Sequence, residues 1–377
     1  MTTTKTPVMI SGPGKSGKVI GKAIQRSGDF ELLPFAFTKT SSAPIEIEGV
    51  TIQCIPLSER ANFDVKSRVP SNTLVVDFTL PDAILENVKY YAANGMNFVM
   101  GTTGVDKVRN DVEQIIKASG ITAVIAANTA AGIVGLQSNI AKFAAANPGG
   151  LKGCTIRVDE SHQGPDPQRP EFKGKADPSG TAVKLSESFA TLGIEGCPFS
   201  SKDIMEHPEQ YRATTFNMIR DRRYQLEVLK VPAEYLDGHG WHTYSIADPV
   251  MAPAFNAFYH GVKNFMKSSP IFNGYTKVER DSTGECTVER RSADGNVFFS
   301  VSLIYDPASY GKSPVVEAVI KHNVNGRSVY GDGTLMGLSF LRDTVKADKI
   351  LSGEGAILGS KPSDGKILSM ADVLRLG

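Results

Sequence analysis

Over its first 130 residues the chain alternates short apolar runs with segments whose apolar residues recur every three or four positions. A short apolar run bounded by glycine or polar residues suits a buried strand, and three-to-four spacing suits a helix with one face inward. Val8-Met9-Ile10 reads as the first strand, and Val19, Ile20, Ala23 and Ile24 then line one face of a helix. A second strand is expected from Leu32 to Phe37, with Pro34 arguing against full pairing because proline has no N–H to give. Thr73 to Thr79 is a third strand. Pro81-Asp82 then opens a helix with Ile84, Leu85, Val88, Tyr91 and Ala92 at helical spacing, and Gly95 closes it. Asn97 to Met100 and Ala123 to Ala127 are further strands, separated by a helix lined by Val108, Val112, Ile115 and Ile116. Strands alternating with helices in this way imply a parallel, doubly wound sheet.

Beyond about residue 150 the rhythm changes to short alternating segments. Cys154 to Asp159 reads as one strand. Thr276 to Arg280, Cys286 to Arg290 and Val297 to Ile304, with turns at Ser282-Thr283-Gly284 and Ala293-Asp294-Gly295, read as an antiparallel meander. Phe255, Phe258, Tyr259, Val262, Phe265 and Met266 form an apolar helical face, suited to core packing or to an oligomer interface. Leu338, Leu341 and Val345 restore helical periodicity, and this segment is expected to fold back on the first domain. The expected fold is therefore α/β. A Rossmann-type dinucleotide-binding domain spans residues 1–130 and 325–377, and a mixed α+β substrate-binding and oligomerisation domain spans 131–324.

Charge removes some functions from consideration. A net charge of +1 leaves no basic stripe for nucleic acid, and Arg220, Arg222 and Arg223 read as a solvated segment. No apolar run reaches the roughly 18 residues of a membrane span. The four cysteines, Cys54, Cys154, Cys197 and Cys286, stand far apart, which suits a reducing compartment; neither disulfides nor a metal site is expected. The polar start, Met1 to Pro7, has no transit-peptide character, so the expected compartment is the cytoplasm, or a plastid if a leader was removed.

Chemistry begins at Gly12-Pro13-Gly14-Lys15-Ser16-Gly17, a G-x-G-x-x-G turn between strand and helix. Its glycines let main chain approach a pyrophosphate, and the helix start supplies N–H groups; a merely structural turn is the alternative. The end of the second strand reads Thr38-Lys39-Thr40-Ser41-Ser42, without the carboxylate that would bond a ribose 2′-hydroxyl. Lys39, with Lys15, could pair a 2′-phosphate, so NADPH is favoured and NADH is the alternative; a solvated loop lysine is the other reading. Gly101-Thr102-Thr103-Gly104 follows a strand at the edge where such sheets bind ligands. Farther on stand Glu160-Ser161-His162-Gln163 and Lys175 to Ala182. Asp177 to Thr181 looks like a helix start whose Gly180 and Thr181 N–H groups could bind a carboxylate beside Lys175. His162 has the chemistry to donate a proton near neutral pH, or is a structural histidine.

Together, Val76-Asp77-Phe78-Thr79, Gly101 to Gly104, the Glu160 to Gln163 segment and Lys175 to Ala182 resemble the 4-hydroxy-tetrahydrodipicolinate reductase (dihydrodipicolinate reductase) family. Ile219-Arg220-Asp221, Val231 to Glu234, Gly238-His239, His322 to Val324, Gly326 to Tyr330 and Met370 to Leu374 resemble its plant-type branch, in order along most of the chain. The resemblance implies NAD(P)H-dependent reduction of a small, cyclic, dianionic substrate to tetrahydrodipicolinate, in lysine and diaminopimelate synthesis, by a homodimer or homotetramer. It implies that His162 and Lys175 are catalytic and that Gln163, Ser179, Gly180 and Thr181 hold substrate carboxylates. It further implies a cofactor lined by Gly12, Gly14, Lys15, Ser16, Gly17, Lys39, Phe78, Gly101, Thr102, Thr103, Ala126, Ala127, Asn128, Thr129 and Arg327.

Three departures accompany it. His162 and Lys175 stand 13 positions apart instead of about four, which makes Lys173 a rival for the lysine's role. The glycine turn is one residue shorter than the family's, and about Pro249 to Ser313 exceeds the family's usual length. Two rival functions therefore stay open: a same-fold reductase acting on another imine or keto acid, and a non-catalytic scaffold.

Overall fold

The computed structural model describes residues 5–175, 177–194, 216–282, 285–305, 316–351 and 365–376, without the side chains of 280–287, 305 and 349–351. It divides into two compact units, Met1–Val134 with Arg327–Gly377, and Gly135–Gly326.

Unit 1 is built on β1 (Thr6–Ser11), β2 (Phe30–Thr38), β3 (Ile45–Ile47), β4 (Val50–Pro56), β5 (Leu74–Asp77), β6 (Asn97–Met100) and β7 (Thr122–Ile125). A late strand, Lys366–Leu368, completes the sheet, whose order is Lys366–Leu368, β7, β6, β5, β1, β2, β4, β3. All pairings are parallel except β3 with β4. The two-residue period of the strands divides their side chains between two cores. Met9, Val75, Phe98, Met100 and Ala123 join Ile84, Val88, Tyr91, Val112 and Ile116 from helices on one face. Val8, Ile10, Val76, Val99 and Val124 join Ile20, Ile24, Leu338 and Leu341 from helices Lys15–Arg26 and Ser328–Leu351 on the other. Each such aliphatic or aromatic side chain contributes about 1.5–3 kcal/mol through burial. The C-terminal helix thus does pack on the first domain. Pro34 is accommodated differently from the simple expectation. The β1–β2 register jumps from Val8↔Leu32 to Ile10↔Ala36, so the proline sits in a bulge of a central strand.

Unit 2 carries β8 (Thr155–His162), β9 (Phe216–Ile219), β10 (His239–Asp248), β11 (Thr276–Ser282), β12 (Glu285–Arg291), β13 (Val297–Tyr305) and β14 (Val316–Asn325). Their order is β11-β12-β13-β14-β10-β8-β9, antiparallel throughout except for parallel β8 and β9. The meander is therefore present, although Thr283 and Gly284 of one expected turn, and Cys197, lie outside the described residues. Helices Gly180–Thr191 and Phe255–Ser268 cover the sheet, where Phe258 meets Phe143 and Phe189, and Phe189 meets Tyr244. Phe255, Phe258, Tyr259, Val262 and Met266 are buried within the unit, so that apolar face is core. No helix among the described residues is long and apolar enough to cross a membrane.

Candidate active site

In unit 1 the strand order reverses around β1, with β5 on one side and β2 on the other. Ligands of doubly wound sheets bind outside the carboxyl ends of strands at such a point. The ladder runs one step into the loops there: Gly12 N–H donates to Phe37 O at 2.8 Å, Phe78 N–H to Ser11 O, Gly101 N–H to Asp77 O and Ala126 N–H to Met100 O, each at 2.9 Å. Gly12, Lys39, Phe78, Gly101 and Ala126 consequently share one edge, each just beyond a parallel strand.

The three glycines of the turn differ in what they permit. Gly12 has φ +81°, and a Cβ on it would lie 2.5 Å from Phe78 O. On Gly17 a Cβ would lie 2.2 Å from Gly12 O, so this glycine lets the helix close on the strand. Gly14 has nothing within 4 Å of its Cβ position and is the N-cap of Lys15–Arg26, with no side-chain cap and no acidic residue in the first turn. Open space against a helix start suits a pyrophosphate, so these residues fit a dinucleotide. Lys15 and Ser16 follow in the first turn of that helix. Gly101 has a simpler reason as well: its Cβ would lie 2.1 Å from the Phe78 ring. Thr129, in the loop after β7, donates to Tyr330 O at 3.2 Å, which brings that loop to the start of the helix that Arg327 precedes. Lys39 is paired with Asp82 at 2.5 Å, a carboxylate the ribose-end reading did not include.

Beneath this edge lies a buried network that sequence reasoning missed. Asp77 accepts from Thr79 N (3.0 Å), Thr79 Oγ1 (2.7 Å), Asn87 Nδ2 (2.8 Å), Tyr91 OH (2.8 Å) and Thr102 Oγ1 (2.9 Å). Arg60 donates to Asn87 Oδ1 at 2.6 Å and to Thr38 O at 3.2 Å. Asp77 therefore ties the loops after β5 and β6 together, and Thr102 is buried in that task.

In unit 2 the Glu160 to Gln163 motif forms the end of β8 and the residue after it. Glu160 is fully buried and forms an ion pair with Arg220, and its other oxygen accepts from Ser179 N at 2.7 Å. Burial pushes the Glu160 carboxyl up, and Arg220, Ser179 and Lys175 pull it back. The same guanidinium donates to Lys175 O (2.7 Å), Ile219 O (3.1 Å) and Asp177 O (3.2 Å). Arg220 is thus no solvated surface residue. It is a brace from β9 to Glu160 of β8 and to the carbonyls of Lys175 and Asp177, and it corrects the surface reading at Arg220, while Arg223 is exposed. Arg222 is likewise engaged, with Asp237 at 2.8 Å.

The long His162–Lys175 spacing closes on itself. Lys175 N–H donates to Gln163 O at 2.8 Å, and a Cβ on Gly174 would lie 2.5 Å from the Gly164 carbonyl carbon. The residues between form an excursion held by Asp166, Arg169 and Asp237, with Arg169 at 2.7 Å from Asp166 and 2.6 Å from Asp237. Lys175 is therefore backed directly against the residue after His162, whereas Lys173 lies exposed on the excursion. Ser179 is the N-cap of Gly180–Thr191, and its hydroxyl accepts from Thr181 N at 3.2 Å. The Thr181 N–H is thus already engaged, and the exposed Gly180, with nothing within 4 Å of its Cβ position, is the open position of that turn.

The His162 ring lies over Gly240 of β10, where a Cβ would come 2.9 Å from Cε1. Gln225 Nε2 donates to His162 O at 2.7 Å. Burial, with Arg220 and Lys175 nearby, holds the His162 imidazole well below the usual histidine range. The ring is therefore neutral near pH 7 in the free chain. Around it stand His239, bonded to Ser161 Oγ at 2.8 Å, and His242, whose ring centroid is 5.1 Å from that of His162. His242 stacks on His322 at 4.3 Å.

A profile for "Dihydrodipicolinate reductase, N-terminus" matches residues 6–129. Across 260 residues the chain is 30% identical to 4-hydroxy-tetrahydrodipicolinate reductase 2, chloroplastic, of Arabidopsis thaliana, covering 68% of this chain and 66% of that one. Over 262 residues it is 30% identical to the probable 4-hydroxy-tetrahydrodipicolinate reductase 2, chloroplastic, of Oryza sativa subsp. japonica, covering 68% and 71%. The chain thus spans about two thirds of the length of these plant relatives. A solved dipicolinate-bound dihydrodipicolinate reductase from Paenisporosarcina sp. TG-14 superposes with a TM-score of 0.47 at 14% identity, over 90% of this chain and 96% of that one. With the profile match and the rice and Arabidopsis identities together, the chain belongs to the dihydrodipicolinate reductase family of NAD(P)H-dependent oxidoreductases.

Proposed function

We propose that this chain reduces 4-hydroxy-tetrahydrodipicolinate to tetrahydrodipicolinate in lysine and diaminopimelate synthesis, with unit 1 holding NAD(P)H and unit 2 the substrate. The observation that carries this reading is the Glu160–Arg220 brace. It fixes Lys175, a cation, and the helix start whose open position is Gly180 beside the strand that ends in His162. A cation and a helix start suit a dicarboxylate, and an imidazole beside them suits proton chemistry.

Bound NAD(P)H supplies the hydride, and the overall reaction also takes up a proton and releases water. In the free chain burial above all, with Arg220 and Lys175 beside it, keeps His162 neutral. A dianion beside the ring offsets those two cations and raises its proton affinity, so His162 takes up its proton as substrate binds. Lys175 pairs a substrate carboxylate, and Gln163 and Gly180 border the same place. For the cofactor we read NADPH as preferred, with Lys15 and Lys39 facing its 2′-phosphate. Asp82, paired with Lys39, offers a carboxylate to a 2′-hydroxyl, which leaves NADH usable.

Calorimetry with NADPH, followed by pyridine-2,6-dicarboxylate, tests the reading. Both bind if it is right, and Lys175→Ala weakens only the dicarboxylate. Binding of the cofactor alone points to another imine or keto acid as substrate, and binding of neither points to a scaffold.

A further inference from the structure

Glu160 and His162 lie two residues apart on β8, so their side chains leave the same face of the sheet. His242 on β10 stands opposite Glu160, and His322 on β14 stands opposite His242. Strand register alone therefore places a carboxylate and two imidazoles in a row, with His162 diagonal to His242. One ligand atom from each of Glu160, His162 and His242 lies within 4.8 Å of the others, and His242 Nε2 is 3.8 Å from Glu160 Oε2. Zinc bonds to nitrogen and oxygen of about 2.0–2.2 Å, in tetrahedral geometry, set ligand atoms roughly 3.3–3.5 Å apart. Side-chain shifts of about an ångström would close the set.

A second, independent observation concerns unmet hydrogen-bonding capacity. Both ring nitrogens of His242, which is 3% exposed, and Nε2 of His162 are buried without a hydrogen-bond partner. Glu160 is oriented by Arg220 and by Ser179 N–H, as ligating carboxylates are by an outer shell.

We propose that Glu160, His162 and His242 form a reversible site for a borderline-soft divalent cation, Zn²⁺ above all, whose occupancy blocks turnover by taking the His162 lone pair. Two imidazoles and one carboxylate suit zinc and later transition metals in preference to magnesium or calcium. The cationic Arg220 and Lys175 alongside weaken the site, so it is a reversible, inhibitory one and not a permanent structural centre. Cysteine spacing gave no hint of it, because the ligands come together only through sheet register. The inhibitory consequence rests on the proposed role of His162; the binding does not.

The test is a Zn²⁺ titration of the full chain against a chromophoric chelator, without cofactor or substrate, for wild type, His242→Gln and His162→Gln. One Zn²⁺ per chain is expected, weakened at least about tenfold in each variant. Co²⁺ in the same site should give the strong visible absorption of tetrahedral coordination. Turnover should fall over the same Zn²⁺ range and return with EDTA, while NADPH binding stays unchanged. No stoichiometric binding, or wild-type binding by both variants with cooperative unfolding retained, overturns the site. Binding without loss of turnover overturns its inhibitory role. A metal-free chain that fails to turn over counts against the reductase reading, and the chelator titration still decides the site.

Discussion

Replacing Arg220 by lysine should separate charge from geometry in the brace. Lysine keeps a cation beside Glu160 but presents three donors from one point, whereas the guanidinium fork reaches Glu160 and the carbonyls of Lys175 (2.7 Å) and Asp177 (3.2 Å) together. Two hydrogen bonds, to the carbonyls of Lys175 and Asp177, are lost, each worth about 1–1.5 kcal/mol net. The hold on Lys175 weakens by about 2–3 kcal/mol. Since about 1.4 kcal/mol is tenfold, kcat/KM for the substrate should fall roughly 30- to 150-fold if the whole loss reaches the transition state. Steady-state kinetics with each substrate varied in turn is the assay. The KM for NADPH should not change, because Arg220 belongs to unit 2. Thermal unfolding separates this from general damage. Arg220→Ala strands the buried Glu160 and should cost about 3–5 kcal/mol of stability, whereas Arg220→Lys retains most of the pair. A cooperatively folded Arg220→Lys chain with kcat/KM within threefold of wild type would refute the positioning role.

Three further outcomes follow from the same geometry. His162→Ala should lower kcat by about 10²–10⁴ with cofactor affinity intact, the usual range for a lost proton donor, and unchanged turnover would remove it from the chemistry. Lys39→Ala should lower kcat/KM with NADPH by about tenfold more than with NADH, since only the former carries a 2′-phosphate; equal losses would mean Lys39 serves Asp82 alone. Burial pushes His239 down to about 4 and His322 down to about 3. The unfolded chain, with imidazoles near 6.5, then binds more protons below that pH, so stability falls as pH drops from about 6.5 toward 4. The slope is on the order of 1 kcal/mol per pH unit for each histidine, and it is absent above about pH 7. Urea midpoints at pH 7 and pH 5 measure it, and equal midpoints would contradict it.

Features carried by local pattern were legible in the sequence. The parallel sheet followed from alternating periodicities, and the glycine turn from three residues whose separate duties appear as contacts at Gly12, Gly14 and Gly17. The Ser179 helix start was visible because capping is a short-range property. What escaped depended on pairing between distant strands. Arg220 looks like one of three surface arginines until β9 is laid beside β8, where Glu160 faces Met218 two residues before it. His242 and His322 lie 80 positions apart and acquire meaning only through the β10–β14 register. Asp77 was visible as part of a motif, but its five hydrogen bonds come from residues 79, 87, 91 and 102. The 13-residue His162–Lys175 spacing looked like a departure, and it closes because Lys175 bonds back to Gln163.

In the proposed reaction a hydride reaches a cyclic dicarboxylate held beside His162 and Lys175. Turnover of 4-hydroxy-tetrahydrodipicolinate, followed by loss of NADPH absorbance, tests it most directly in wild type and in Lys175→Ala. Wild type should consume NADPH robustly, and the folded variant should lose at least a hundredfold in kcat/KM, about 2.7 kcal/mol for the lost charge pair. No consumption by wild type, or equal rates in the two proteins, would contradict it.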